Sequence, residues 1–207
     1  MSFFFKRAPH VKFVGFSTED ATATPTLSAK AGDLILAWAV ESSTTGLPTI
    51  PAGFGWVAVQ AGVAGNASGT LVAYRKVVTD GEGHGTWGGT LRGVYYQAFR
   101  NVDWHDPIGA HAQANNATNA NITNSALTLE TRNCMVATGA LVTSGTGPGI
   151  RSDCTLSKER LSSSPRVRVA RSTTRRVRSW ASEVVGNTSG TAAAGAHHAT
   201  EIRGRRR

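Results

Sequence analysis

Charged side chains are in short supply: Asp, Glu, Lys and Arg make only 17% of the 207 residues, below the roughly 25% of an ordinary soluble domain. Lysine is scarce, and Gly, Thr and Ala take much of its place. A bundle of amphipathic helices needs Glu, Lys, Leu and Gln in quantity, so that architecture is excluded. Cysteine is nearly absent. Cys134 and Cys154 are the only two, and neither sits in a CxxC pair. No apolar run approaches the roughly 18 residues that span a bilayer. Three apolar residues at the start, Phe3-Phe-Phe5, precede Lys6-Arg7 rather than follow them. A secretory signal has the opposite order and a longer apolar region. The expectation is folding without classical export, with no membrane contact and with both thiols reduced and packed, although the sequence alone leaves a Cys134–Cys154 pairing open.

What is present is a series of short alternating runs. Hydrophobic residues make 40% of the chain, enough to argue against disorder throughout. Val11–Phe16 alternates as a strand does, and Leu34–Val40 is apolar throughout, as in a central strand covered on both faces. Gly55–Gln60, Thr70–Val78, Gly85–Gly89, Arg92–Phe99, Leu127–Leu129 and Met135–Val142 continue the pattern between turn-forming clusters. Residues 112–126, rich in Asn, Ala and Thr, read as a flexible or weakly paired stretch. Arg166–Arg171, Arg175–Val185 and Thr191–Ile202 supply the last strands. This predicts an all-β fold, a jelly-roll-like antiparallel β-sandwich of about ten strands. One domain covers residues 1–203, and residues 204–207 form a basic C-terminal tail.

The net charge of +9 is confined to one end. Residues 1–150 hold nine basic and nine acidic side chains, whereas residues 151–207 hold thirteen and four. The block Arg166, Arg168, Arg171, Arg175, Arg176 and Arg178 carries much of it. Arginine clusters neutralise phosphates, but no base-reading motif and no interleaved aromatics accompany this one, so nucleic acid is disfavoured. Arg166-Val-Arg-Val-Ala-Arg171 alternates basic with apolar, as a strand with one packed face does. The block therefore reads as a subunit-docking surface that meets acidic neighbours.

Catalytic signatures are missing. There is no G-x-S-x-G elbow, HExxH helix, Walker loop or dinucleotide fingerprint, so the chain reads as a non-enzyme without a cofactor. Asp103, His105 and Asp106 are the tightest titratable cluster, read as a turn whose carboxylates accept backbone N–H groups. His197 and His198 are neighbours in a strand and point to opposite faces, so they do not chelate one metal ion. Trp38, Trp56 and Trp87 lie in apolar contexts and read as core. Trp104 stands in a polar turn. With Tyr95 or Tyr96 it is the one candidate aromatic set for glycan contact.

Several segments follow one another in a particular order: Gly32-Asp-Leu-Ile-Leu-Ala37, Pro51-Ala-Gly-Phe-Gly-Trp56, Tyr74-Arg-Lys-Val77, Gly85-Thr-Trp87, Tyr96-Gln-Ala-Phe-Arg-Asn-Val-Asp103 and Asp106-Pro-Ile-Gly109. Over about residues 10–145 this succession resembles β-sandwich proteins of tailed bacteriophages, especially the small minor tail proteins of phages infecting actinobacteria. The resemblance implies a virion subunit, made in the host cytoplasm, that binds other tail or capsid proteins and copies of itself. A minor tail or tail-tip protein is the leading expectation. A capsid decoration protein and a carbohydrate-binding module touching host cell-wall glycan are the alternatives.

Overall fold

The computed structural model describes residues 9–17, 23–41, 46–60, 62, 69–119, 121–124, 126–142, 148, 150–160, 166–172, 180–186 and 193–205. Among them there is no helix. Five strands, β1 (Lys12–Phe16), β2 (Leu34–Glu41), β3 (Val57–Ala58), β4 (Thr70–Lys76) and β5 (Leu91–Arg100), form one antiparallel sheet in the order β1-β5-β2-β4-β3. The rest of the chain gives β6 (Ile108–Asn119), β7 (Asn121–Asn124), β8 (Cys134–Val142), β9 (Cys154–Arg160), β10 (Arg166–Ser172), β11 (Glu183–Gly186) and β12 (Ala193–Arg203). Of these, five make a second antiparallel sheet in the order β6-β12-β8-β10-β9, and β7 pairs with β11 in a separate ribbon.

The expected all-β sandwich of about ten strands is formed, with a simpler connectivity than the repeated crossings of a jelly roll. Every strand of the first sheet precedes every strand of the second, and the described chain passes between them at residues 101–107. Each sheet also uses its five strands in one order: first, fifth, second, fourth, third. Registers agree as well. Leu34 lies opposite Phe99 and Trp38 opposite Tyr95 in the first sheet. Met135 lies opposite Ile202 and Gly139 opposite His198 in the second. The fold is thus one five-stranded plan used twice, face to face.

Alternation explains the layers. Odd and even positions of a strand face opposite ways, so Leu34, Leu36, Trp38 and Val40 enter the core between the sheets, where they meet Met135, Ala137, Leu141, Val167 and Val169. Ile35, Ala37 and Ala39 face outward, yet they too are buried, under Trp56, Trp87 and Tyr96. Trp180 closes a smaller cluster with Leu127, Cys134, Val136 and Ala199 outside the second sheet. The apolar length of β2 follows from this burial on both faces. Trp38 and Gly139 complement each other at the centre: a Cβ on Gly139 would stand 2.6 Å from Trp38 Cε3.

Several expectations change at the level of single elements. Gly55–Gln60 forms a strand only over Val57–Ala58, with Val59 N donating to Val72 O at 2.9 Å just beyond it, after a turn whose Gly53 and Gly55 both have positive φ. The runs at 85–89 and 127–129 contribute single bridges, Thr49 with Gly88 and Leu127 with Trp180. The stretch 112–126, expected to be weakly paired, contains most of β6, the longest strand. Its half-buried Ala110 and Ala112 pack against the Trp180 cluster, a case of context overriding β-propensity. Strand β9 has no counterpart among the expected runs. The boundary at residue 203 also moves, because Gly204 N donates to Asn133 O and Arg205 N donates to Asn101 O. Residues 206–207 lie outside the described residues.

Candidate functional site

The site forms where the chain leaves the first sheet for the second. Asn101 adopts a left-handed φ of 62°, which Asn tolerates better than most residues. Its Nδ2 donates to His10 O at 3.0 Å, and Val102 bridges to Gly204. Asp103 is buried, and its Oδ1 accepts from the backbone N–H groups of His105 (3.0 Å) and Asp106 (3.2 Å). This is the side-chain-stabilised turn expected from the sequence. It lifts Trp104 to the apex, where the residue is 37% exposed.

An open cleft of about 590 Å³ surrounds that apex, lined by Gly32, Asp103, Trp104, His105, Asp106 and Arg205. Lys76 Nζ stands 5.7 Å from the Trp104 ring centroid, a cation–π contact. Beside the cleft, Arg100 makes a two-pronged ion pair with buried Asp33, at 2.6 and 2.7 Å. The hydrogen bond to Asp33 raises the Arg100 pKa above its ordinary value, and this outweighs the opposing effect of burial. Arg203 pairs with both Asp106 and Glu130. The carboxylates are therefore committed to holding loops. What the cleft offers a ligand is a flat indole face with polar groups at its rim, the arrangement that suits stacking on a sugar ring.

Tyr95 and Tyr96 do not join Trp104, which corrects the expected glycan set. They lie in β5, the strand next to β2, and are 1% and 0% exposed. Neighbours on a strand face opposite ways, and both faces of this sheet are covered. Tyr95 enters the core between the sheets. Tyr96 lies under the outer layer, where its hydroxyl accepts from Trp87 Nε1 at 2.8 Å and burial pushes its pKa up to about 12. Lys76, Gly32 and Arg205 escape a reading of the sequence. They come from three separate segments, and no spacing rule connects them.

The arginine block divides. In β10 Val167 and Val169 are buried in the core, as the alternation implied. Arg168, on the opposite face, donates to Glu159 Oε2 at 2.9 Å and to Pro148 O at 2.8 Å. Arg171 shares the face of the two valines, and its guanidinium stands 4.3 Å from the Phe13 ring centroid. It therefore ties the sheets together rather than facing a neighbour. Arg166 belongs to β10 by its backbone, and its side chain lies outside the description. Arg175, Arg176 and Arg178 lie outside the described residues.

His197 and His198 point to opposite faces of β12. His198 turns inward, where Gln60 Nε2 donates to Nδ1 and Nε2–H donates to Thr70 Oγ1, both at 2.8 Å. His197 turns outward to Thr138 Oγ1 at 2.6 Å. Burial depresses both rings, to about 4 for His198 and about 3 for His197, where the charges of His198 and Arg151 add to it. The two cysteines are free thiols.

Most of the ordered segments singled out in the sequence converge in space. Asp33 and Arg100 are the ion pair above. Trp56 and Trp87 meet edge to face at 5.3 Å, and Trp56 lies 5.4 Å from Tyr96. Arg75 donates to Gly83 O at 2.6 Å, pairs with Glu82 at 2.8 Å and stands over Trp56. Together they build the outer face of the first sheet. Comparison with family models, curated proteins and solved structures finds no match.

Proposed function

We propose that this chain is a structural subunit of a tailed-phage virion, a minor tail or tail-tip protein assembled in several copies through protein–protein contacts. The observation that carries the reading is the convergence just described. Most of the segments through which the sequence resembles phage minor tail proteins build the first sheet and its covered outer face, and Asp106-Pro-Ile-Gly109 follows where the chain enters the second sheet. A second support is the use made of charge. Asp33–Arg100, Arg75–Glu82, Arg151–Asp153 and Arg203 with Asp106 and Glu130 each fasten loops or strand ends to the sandwich. Such a shell suits a part that must stay folded outside the cell. Its partners are other tail or capsid proteins, with acidic surfaces where they meet Arg166, Arg175, Arg176 and Arg178.

Mass spectrometry and gel stoichiometry of purified particles test the reading. The expected result is the chain in the particle at a fixed ratio to the tail tube protein. Its recovery only from the soluble fraction of the lysate overturns it, and hundreds of copies per particle would favour capsid decoration. Replacing Arg175, Arg176 and Arg178 by Gln together should lower incorporation without lowering the melting temperature of the isolated chain.

One observation favours a host-attachment role as a second reading: the exposed Trp104 over its open cleft. Binding to host cell-wall glycan, lost on Trp104→Ala, is the expected outcome under that reading. Binding that the substitution leaves unchanged sinks it.

A further inference from the structure

Every open sheet presents two edges with unpaired backbone groups, and proteins blunt such edges to avoid unwanted pairing. Three of the four edges of the two five-stranded sheets are blunted. Strand β1 has five residues, includes Lys12, and breaks register against β5 between Phe13 and Gly15. Strand β3 has two residues. Strand β9 carries Lys158-Glu-Arg160, and its register against β10 also shifts.

Strand β6 is different. It has twelve residues, and among the described residues no strand pairs with its outer edge. Residues 107–129 contain no Asp, Glu, Lys or Arg. Register shifts against β12 fall near its two ends, and His111 to Asn116 run in unbroken register between them. His111 and Gln113 are exposed, while Ala112 and Ala114 are half-buried.

We propose that the outer edge of β6 is a self-association surface, on which residues 111–115 pair antiparallel with the same residues of a second copy of this chain, Gln113 opposite Gln113, across a two-fold axis. The absence of charge selects the occupant. A copy carries the same net +9, so contact through the Arg-rich surfaces meets like charge within the Debye length of about 8 Å at physiological salt. A neutral edge is where two copies can approach without that repulsion. A neutral edge also gives a charged heterologous partner nothing to select it by. Antiparallel pairing of one segment with itself is closed by a two-fold axis, so the assembly stops at a dimer with a continuous ten-stranded sheet. The pairing deepens the proposed assembly in several copies and rests on that reading for its biological setting.

Sedimentation of the isolated full chain tests the contact, with Gln113→Lys, Gln113→Asp and their equimolar mixture. The wild type is expected to dimerise, and each single variant, placing like charges beside the axis, to weaken the dimer by up to about fivefold. Mixing the two should restore the wild-type affinity, because Lys then faces Asp. Amide exchange in β6 should slow as wild-type concentration rises, whatever the variants do. A wild type that stays monomeric at about 100 µM, a dimer weaker than any useful contact, overturns the proposal. So does a dimer indifferent to both substitutions, or one that the mixture does not restore. A monomer in solution removes the β6 contact alone, and the particle assay still decides the virion reading.

Discussion

Replacing Gly139 by Ala tests the face-to-face packing of the two sheets at its tightest point. The new Cβ would lie 2.6 Å from Trp38 Cε3 and 2.9 Å from Cζ3, so either the indole or the strand must move. Trp38 is held on its other side, since its Nε1 donates to Gln97 Oε1 at 2.9 Å and Gln97 Nε2 donates across the core to Ala170 O at 3.2 Å. Overpacking of this kind costs about 1–3 kcal/mol. Against it stands the roughly 0.5–1 kcal/mol that Ala gains over Gly in a strand interior. The net expectation is a loss of about 1–2 kcal/mol, or a fall of roughly 2–8 °C in melting temperature for a chain of this size. Trp38→Phe deletes the crowded ring atoms, and by itself it costs more, about 2–4 kcal/mol, because it leaves a void and a buried Gln97 oxygen without its donor. The double variant should recover about 1–2 kcal/mol of the summed losses, the signature of two residues in contact. Urea unfolding followed by far-ultraviolet circular dichroism measures all three. Additivity to within about 0.5 kcal/mol would refute the packing described.

Three further outcomes follow from the buried ionisable groups. Asp33→Asn should cost about 1–3 kcal/mol in the same unfolding assay, because Arg100 loses its two-pronged partner; a change within error would show the pair to be ornamental. His197 and His198 are depressed to about 3 and about 4 from 6.5, so the unfolded chain binds more protons than the folded one between those values and 6.5. Their contribution is complete above about pH 6.5 and is lost as pH falls towards 4 and then 3, by up to about 1.4 kcal/mol per pH unit for each ring. A pH series of unfolding free energies should show this slope in the wild type and a shallower one in His198→Gln; identical slopes would count against it. Burial pushes both thiols up to about 12, so alkylation of the native chain at pH 8 should run on the order of a hundredfold slower than in urea. Equal rates would place the sulfurs in water.

Strand positions, their alternation and the two-sided burial of β2 could be read in the sequence because each depends on residues adjacent in the chain. Tyr95-Tyr96 shows the limit of that reading. As a pair of aromatics it resembles a binding platform, but only the knowledge that β5 lies inside a sheet covered on both faces sends one ring into each layer. The cleft at Trp104 was half legible. Asp103 with His105 and Asp106 forms a turn by local hydrogen bonds, which spacing reveals, whereas Lys76 and Arg205 arrive through the sheet order.

The twofold use of one strand plan was hidden for a different reason. Equivalent positions in the two sheets need complementary residues, not similar ones. Trp38 and Gly139 occupy matching registers and touch, so the space allows one large side chain and one absent. Asp33 precedes Leu34 and pairs with Arg100 after Phe99. At the matching place Cys134 precedes Met135, and Arg203 after Ile202 turns instead to Asp106 and Glu130. The outer layers diverge in the same way. Trp87, between β4 and β5, packs edge to face against Trp56, while Trp180, between β10 and β12, lies under the Arg151 guanidinium at 4.0 Å. A self-comparison of the sequence searches for identity and so passes over halves that fit because they differ. Backbone pairing keeps the plan, and side-chain packing removes its trace from the residues.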